Sequence, residues 1–266
     1  MNVRKNQHMN IKAIFFDIDG TLVSMQKHGI PASTLEAVHE VRQRGIQAFI
    51  ATGRPLPFID NLGEMEYDGI ISFTGAHCML RNGETICKKS IDQEDLHRMV
   101  AFCQKHKMPV AFTSPERAFL TCHNEESLKV YEALQVPLLE MAPAEEALKM
   151  DVLEIIAFFT EKEEPQLMHD VLPHCAAHRW HPSFADVIAS GNSKATGIDA
   201  VIQHLGIRLE ETMAFGDGGN DIEMLQHVAL GVAMGNANEY VKSQADYVTD
   251  SVDQDGVAKA IRKFIC

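Results

Sequence analysis

The chain has 266 residues, of which 45 % are apolar and 23 % charged, and its formal net charge is −13. That length supports one large domain or two modest ones whose cores need no stapling. The acidic balance argues against a nucleic-acid partner and repels phosphorylated small molecules at long range, so any phosphate site must supply its own cations from a metal, a Lys, an Arg or helix N-termini.

The first eight residues are polar, with no apolar signal core, and Met9-Asn10 leads into the first strand-like run, so they read as an alternative start or a loose tail. Ile11 to Phe16 is a short apolar run that ends abruptly at Asp17, as a buried strand with polar groups at its carboxyl end would. A Gly-rich turn follows, then a helix opened by Pro31 and Ser33, carrying Leu35, Val38 and Val41, and closed by Gly45. Ile46 to Ala51 is the next strand and ends at Thr52-Gly53-Arg54; Gly69 to Phe73 is a third. Strands alternating with helices imply a doubly wound, Rossmann-like parallel sheet.

The middle of the chain follows another grammar. Cys78 to Leu80 and Thr85 to Cys87 flank Asn82-Gly83, a strong hairpin signal. A helix carrying Leu96, Met99, Val100 and Cys103 comes next, then strand-like runs at 110–113 and 118–122, a helix near 127–134, a strand at 152–159, a helix near 165–172, and strand-like stretches around Trp180 and Val187. This reads as a mixed α/β domain, 81–187, inserted into a core formed by 9–80 and 188–266. The first pattern then resumes. Ile198, Val201, Ile202 and Leu205 mark a helix stopped by Gly206, and Thr212 to Phe215 is a strand running into Gly216-Asp217-Gly218-Gly219-Asn220-Asp221. Leu230 to Ala233 is a further strand, and Val257, Ala260, Ile261 and Phe264 form a last amphipathic helix.

None of the six cysteines forms a Cys-x-x-Cys pair, and the spacing of His174, His178 and His181 crosses a predicted helix end, so a zinc site is poorly supported. Buried thiols in a reducing cytoplasm are the expectation. No stretch approaches the roughly 20 apolar residues of a membrane span.

In an open parallel sheet, ligands bind beyond the carboxyl ends of the strands, where strand order reverses. Asp17 with Asp19, Thr52-Gly53-Arg54, and Asp217 with Asp221 all fall at such ends, and Lys194 precedes a helix close by. Singly, each has an ordinary reading: Asp17 as a turn former, Asp217 as part of a Gly turn, Asp221 as a helix cap, Lys194 as a solvated surface residue. Together they put up to four carboxylates in one crevice, with Asp17 and Asp19 expected to point the same way along an extended strand. Unpaired, such a cluster would cost several kcal/mol. A hard divalent cation removes the problem, and oxygen-only ligands favour Mg2+.

These residues resemble the haloacid dehalogenase superfamily of phosphotransferases. Its first motif, Asp-x-Asp-Gly-Thr after an apolar strand, reads Asp17-Ile18-Asp19-Gly20-Thr21; its second matches Thr52, its third Lys194, and its fourth, Gly-Asp-Gly-x-Asn-Asp, spans Gly216 to Asp221. Thr52-Gly53-Arg54-Pro55, paired with Met224-Leu225 behind the fourth motif, is similar to the Cof-type branch, in which a large α/β cap is inserted between the second and third motifs. One departure is Phe73-Thr74-Gly75-Ala76, where the branch usually carries Asn-Gly-Ala; Thr74 is expected to alter a substrate contact or the hinge.

The resemblance implies a Mg2+-dependent phosphatase acting on a small phosphorylated metabolite, such as a sugar phosphate, with a cap that closes over the crevice and sets specificity. It implies Asp17 as nucleophile, Asp19 as acid and base, and Thr52, Gly53 and Lys194 as phosphoryl holders. Asn220 is expected to hold Lys194 or the phosphate. The metal would take the Asp17 and Asp217 carboxylates and the Asp19 carbonyl, with Asp221 close by. Arg54 is left between binding a second anionic group and bridging core to cap; Arg117, His178, Trp180 and His181 between facing the site and ordinary packing. A phosphomutase or other phosphotransferase on the same core and a catalytically silent sugar-phosphate sensor are the alternatives. An aspartate-phosphorylated regulator would lack both Asp19 and the insert.

Overall fold

The structure is a computed structural model described over residues 10–24, 26–134 and 136–265. The expectations for the first eight residues, Met9 and Cys266 lie outside these.

In chain order, strand β1 (Ala13–Phe16) leads to helix α1 (Ala32–Gln43), then to strands β2 (Gln47–Ala51), β3 (Gly69–Ser72), β4 (His77–Leu80) and β5 (Thr85–Lys88). Next come α2 (Gln93–His106), β6 (Val110–Thr113), β7 (Ala118–Leu120), α3 (Glu125–Leu134), β8 (Glu154–Ala157), α4 (Glu164–Asp170), β9 (Cys175–His181) and β10 (Phe184–Ala189). The chain finishes with α5 (Lys194–Leu205), β11 (Thr212–Gly216), α6 (Ile222–His227), β12 (Leu230–Ala233), α7 (Glu239–Gln244), β13 (Tyr247–Val248) and α8 (Gly256–Phe264). Two compact units result: Met1–Arg54, Ile59–Cys87 and Ser193–Cys266 form the first, and Pro55–Phe58 with Lys88–Asn192 the second.

The first unit holds an eight-stranded sheet in the order β13-β12-β11-β1-β2-β3-β4-β5. From β13 through β3 the strands run parallel, and β4 returns antiparallel beside β3. Strand β1 is the switch point: the chain builds β2 and β3 outward on one side of it and β11, β12 and β13 on the other. Its residues Ala-Ile-Phe-Phe are all buried because helices cover both faces, which is why the strand reads as a continuous apolar run rather than an alternating one. Phe15 stacks on Phe49 and Phe16 on Phe215, with ring centroids 5.2 Å apart in each pair. Each such ring contributes about 1.5–3 kcal/mol by burial. Ala13, Phe15, Phe49 and Ile71 share a core with Ile198, Val201 and Ile202 of α5.

The hairpin foreseen at Asn82-Gly83 forms, but β5 sits at the edge of this first sheet beside β4. Residues 81–87 therefore belong to the first unit, not to the insert where the sequence reading put them: the tight turn returns the chain to the sheet edge before it can leave. Residues 188–192 fall in the second unit, since β10 continues through Ala189.

The second unit is a five-stranded sheet, β7-β6-β8-β10-β9, whose neighbouring pairs are all antiparallel. Alternation gives its strands two different faces. Val110, Phe112, Ile155, Ala157, Ala185 and Val187 pack in one core with Leu96, Met99 and Val100 of α2 and Leu167 of α4. Cys103 and Cys175 are buried in that core, and burial pushes the Cys103 thiol up to about 12, leaving it inert at neutral pH. Helix α2 starts where Asp92 accepts from the amides of Glu94 and Asp95. No helix among the described residues is long and apolar enough to cross a membrane.

Candidate active site

The register fixes which strand ends meet. Phe16 lies opposite Ile50 on one side and Phe215 on the other. The residues following β1, β2 and β11 are therefore brought side by side: Asp17, Thr52 and Asp217. The Asp17 amide donates to the Phe215 carbonyl at 3.0 Å and the Thr52 amide to the Ile71 carbonyl at 2.8 Å, extending the ladder one residue past each strand.

Lys194 reaches this edge from α5. Ser193 caps that helix by accepting from the Thr196 amide, while the Thr196 hydroxyl oxygen accepts from the Ser193 amide, which fixes the first turn. The helix end can approach the sheet only because residue 75 is glycine: at φ +94° a Cβ there would lie 2.0 Å from the Ser193 carbonyl oxygen. Lys194 is fully buried, not a solvated surface residue. Its Nζ donates to Asp17 Oδ1 at 2.6 Å and to Asp221 Oδ1 at 2.5 Å. Burial opposes its charge, but the Asp17 and Asp221 carboxylates outweigh that, and its pKa lies above the ordinary value.

Asp221 turns back instead of capping the helix ahead of it. Its Oδ2 accepts from the amides of Asp217 and Gly218 at 2.9 and 2.8 Å, which locks the loop after β11. Asp217 accepts from the Thr21 hydroxyl at 3.2 Å and from Asn236 Nδ2 at 3.0 Å, and the same Asn236 amide reaches the Gly20 carbonyl at 2.9 Å. Gly20 has φ +85°, and a Cβ there would meet Asp217 Oδ2 at 2.2 Å, so only glycine lets this turn approach Asp217. Thr21 and Asn236 were not singled out from the sequence. Thr21 stood inside the first motif, and Asn236 follows β12 at the same sheet edge, which was the available signal.

Carboxylate oxygens of Asp17, Asp217 and Asp221 all lie within 4.8 Å of one another. Three carboxylates against the single Lys194 ammonium leave two negative charges when all are ionised. Burial, then the Asp221 charge, pushes Asp17 up to about 8 despite Lys194, and the same two causes push Asp217 up to about 6. The donors are all oxygen, and the excess charge matches a hard divalent cation. These three residues could hold one.

Asp19 does not join that cluster. The strand ends at Phe16, so Asp19 lies in the following turn. Arg54 holds it in a two-pronged pair, Nε to Oδ2 and Nη2 to Oδ1, both at 2.7 Å. Arg54 also approaches Asp60 at 3.8 Å. The Arg54 amide donates to Thr52 Oγ1 at 3.1 Å, closing the turn after β2. Asn220 is exposed, and among the described residues the hydrogen bonds of Lys194 go to Asp17 and Asp221; the Asn220 Nδ2 would lie 3.2 Å from a Cβ on Gly53, beside the Thr52-Gly53 turn. Thr74 borders the same turn with φ +50° and ψ +40°, a left-handed conformation that Asn adopts more readily than Thr. Its amide donates to the Thr52 carbonyl at 3.2 Å.

Residues 14–261 match the sequence model of the haloacid dehalogenase-like hydrolases. The chain belongs to that family. Among relatives of this hydrolase, the Bacillus subtilis protein YkrA, provisionally named a phosphatase, is 35 % identical over 269 residues, covering 96 % of this chain and 98 % of its own. The solved structure of BT4131, a subclass IIB sugar phosphatase, superposes with a TM-score of 0.84 at 47 % identity, covering 95 % of this chain and 98 % of that one. BT1666 from Bacteroides thetaiotaomicron, described among the phosphatases of the same superfamily, superposes with a TM-score of 0.89 at 36 % identity over 99 % and 98 % of the two chains. The doubly wound core and the Cof-type resemblance read from the motifs agree with this hydrolase family and with these neighbours.

Proposed function

We propose that this hydrolase is a Mg2+-dependent phosphatase that cleaves a small phosphorylated metabolite through a phosphoryl group carried briefly on Asp17. The observation that carries the reading is Asp17 itself. It is buried at the switch point of the sheet, Lys194 engages its Oδ1, and its Oδ2 carries no hydrogen bond among the described residues. One oxygen is thus held while the other is left to attack phosphorus in line.

The other residues fall into complementary roles. Lys194 and the Thr52-Gly53 turn would take phosphoryl oxygens, supplying the local positive charge and donors that an acidic protein needs. Asp19, held by Arg54 beyond the buried cluster, would donate a proton to the leaving alcohol and later accept one from the attacking water. Arg54 is a positioning residue in this reading, since its two-pronged pair fixes the Asp19 carboxylate. Asp17 and Asp217, with Asp221 adjacent, would hold Mg2+, which when bound offsets charge on the carboxylates and the phosphoryl group. A cation there would also favour the ionised form of Asp17 that a nucleophile requires. The sugar-phosphatase activity of the neighbour BT4131 supports a sugar phosphate as substrate.

Phosphate release over a panel of sugar phosphates and other phosphomonoesters, with Mg2+ and with chelator, tests the reading. Release should require Mg2+ and vanish in Asp17→Asn with the fold intact. Near wild-type release by Asp17→Asn would refute it, and transfer of phosphate within the substrate without release would make the enzyme a mutase.

A further inference from the structure

Asp217 is held differently from its two neighbours in the carboxylate cluster. Lys194 pins Asp17 and Asp221, and Asp221 also takes two backbone amides. Among the described residues, the hydrogen bonds to the Asp217 carboxylate come from two side chains: the Thr21 hydroxyl to Oδ1 at 3.2 Å and Asn236 Nδ2 to Oδ2 at 3.0 Å. Thr21 is fully buried, whereas Asn236 is exposed. An exposed amide could satisfy itself with water, yet both polar atoms of this side chain are committed to the protein. Its Nδ2 also donates to the Gly20 carbonyl at 2.9 Å, and its Oδ1 accepts from the Val252 amide at 3.0 Å. The Gly20 carbonyl and the Asp217 carboxylate only accept and the Val252 amide only donates, so a single orientation of the Asn236 amide serves all three.

The backbone beneath that side chain is fixed on both flanks. The Met234 amide donates to the Gly216 carbonyl, the Gly235 amide to the Asp250 carbonyl and the Ala237 amide to the Met234 carbonyl, each at 3.0 Å. Asn236 therefore links three segments distant in sequence: the turn that follows Asp19, the loop after β11 and the stretch that leads into α8. An Asn in a surface turn has an ordinary reading, as a turn former whose side chain also accepts from Val252. That reading gives Asn236 a small share in stability and none in ion binding.

We propose that Asn236 is a positioning residue that sets the Mg2+ affinity of the carboxylate cluster, by fixing the Asp217 carboxylate against the turn that follows Asp19. The proposal rests on the reading of Asp17, Asp217 and Asp221 as the residues that hold the metal. Mg2+ demands near-ideal octahedral geometry, and a carboxylate free to swing must be ordered when the ion arrives, which lowers affinity. With Asn236 in place, that ordering is already made in the folded chain. Groups that orient metal ligands in this way are typically worth about 10–100-fold in affinity.

Isothermal titration calorimetry of the chelator-treated full chain with Mg2+ alone reads this affinity without turnover. Asn236→Leu keeps the size of the side chain and removes both donated bonds; it should raise the Mg2+ dissociation constant about 10–100-fold. Asn236→Ser, too short to span Gly20 and Asp217, should do the same, and it decides the matter if circular dichroism shows the leucine variant unfolded. Asp253→Ala is the control. Asp253 follows Val252 in the same stretch, accepts from the Ser24 hydroxyl at 2.9 Å and pairs with Lys27 at 3.3 Å, and it supplies no donor to Asp217. Its loss should leave the Mg2+ dissociation constant within about twofold of wild type, the usual scale of a substitution away from a site. Unchanged Mg2+ affinity in the folded Asn236 variants overturns the proposal. An equal loss in Asp253→Ala overturns it too, by making the effect a general loosening of this sheet edge. Asp217→Asn and phosphate release, measured in parallel, keep the two readings separate. Wild-type turnover with Mg2+ binding that needs Asp217 but not Asn236 defeats only this proposal. Binding that needs both residues, without any phosphate release, defeats only the phosphatase reading, and binding that survives Asp217→Asn places the metal elsewhere and defeats both.

Discussion

Lys194→Met tests how the buried cluster is held together. The substitution keeps an unbranched chain of similar length in a fully buried slot and removes only the charge shared by Asp17 and Asp221. Removing one partner of a buried ion pair typically costs 3–5 kcal/mol, because the remaining charge is stranded. For a protein of this size that is a fall in melting temperature of roughly 6–20 °C. The penalty should depend on pH. The folded-state pKa of Asp17 is already raised, to about 8, so its stabilising contribution is present below the ordinary carboxylate value of 3.8 and is lost as pH climbs toward 8. Without Lys194 that pKa rises further. The gap between variant and wild type should therefore be smaller at pH 5, where Asp17 is protonated in the fold, and should widen above pH 8, by up to about 1.4 kcal/mol per pH unit. Chemical denaturation of chelator-treated protein, followed by circular dichroism, measures both values. A gap below about 1 kcal/mol at pH 9.5, or one that does not widen between pH 5 and pH 9.5, would refute the view that Lys194 neutralises these carboxylates.

Two other perturbations follow from the same structure. Mg2+ at a hundred times its dissociation constant should stabilise the wild type by about 2.7 kcal/mol, and Asp217→Asn should abolish most of that gain; a thermal-shift titration with an EDTA control reads it, and an undiminished gain would place the metal elsewhere. Glu154 has a raised folded-state pKa, so its contribution to the stability of the second unit is present below its ordinary value of 4.5 and is lost as pH rises above it. Urea unfolding followed by Trp180 fluorescence should show that loss, at most about 1.4 kcal/mol per pH unit, in wild type and not in Glu154→Gln; equal pH profiles would mean that Glu154 is ionised in the fold.

The fold was legible wherever burial on two faces wrote itself into composition. The apolar runs ending at Phe16, Ala51 and Phe215 announced parallel strands, and the polar residues after them announced a common edge. Boundaries were harder. A hairpin signal says that two strands pair, not which sheet they join, and so the turn at Asn82-Gly83 was given to the insert although β5 lies on the first sheet. Strand β13, two residues long, and the short helix α7 left no periodic trace.

At the site, residue types and spacing named the side chains that meet, but not their pairings. Asp19 was expected to point with Asp17 because both were taken to lie on an extended strand; the strand stops one residue before Asp17, and Arg54 takes Asp19 instead. That guanidinium pair lies within the first unit and was neither of the roles considered for Arg54. Asn236 could not be found by motif, since its role depends on a side-chain amide spanning Gly20 and Asp217 across some two hundred residues of sequence. Thr74 shows the reverse. The sequence flagged it as unusual for the branch, and the backbone there is left-handed, a conformation in which Asn would be at ease.

The central claim is that Asp17 carries the phosphoryl group during turnover. Rapid acid quenching of enzyme mixed with Mg2+ and a substrate from the release screen, followed by proteolysis and mass spectrometry, tests it directly. The account predicts a phosphoryl adduct on the peptide containing Asp17, removed by hydroxylamine as an acyl phosphate should be, and absent in Asp17→Asn. A wild-type enzyme that turns over while its adduct sits on another residue would contradict the account.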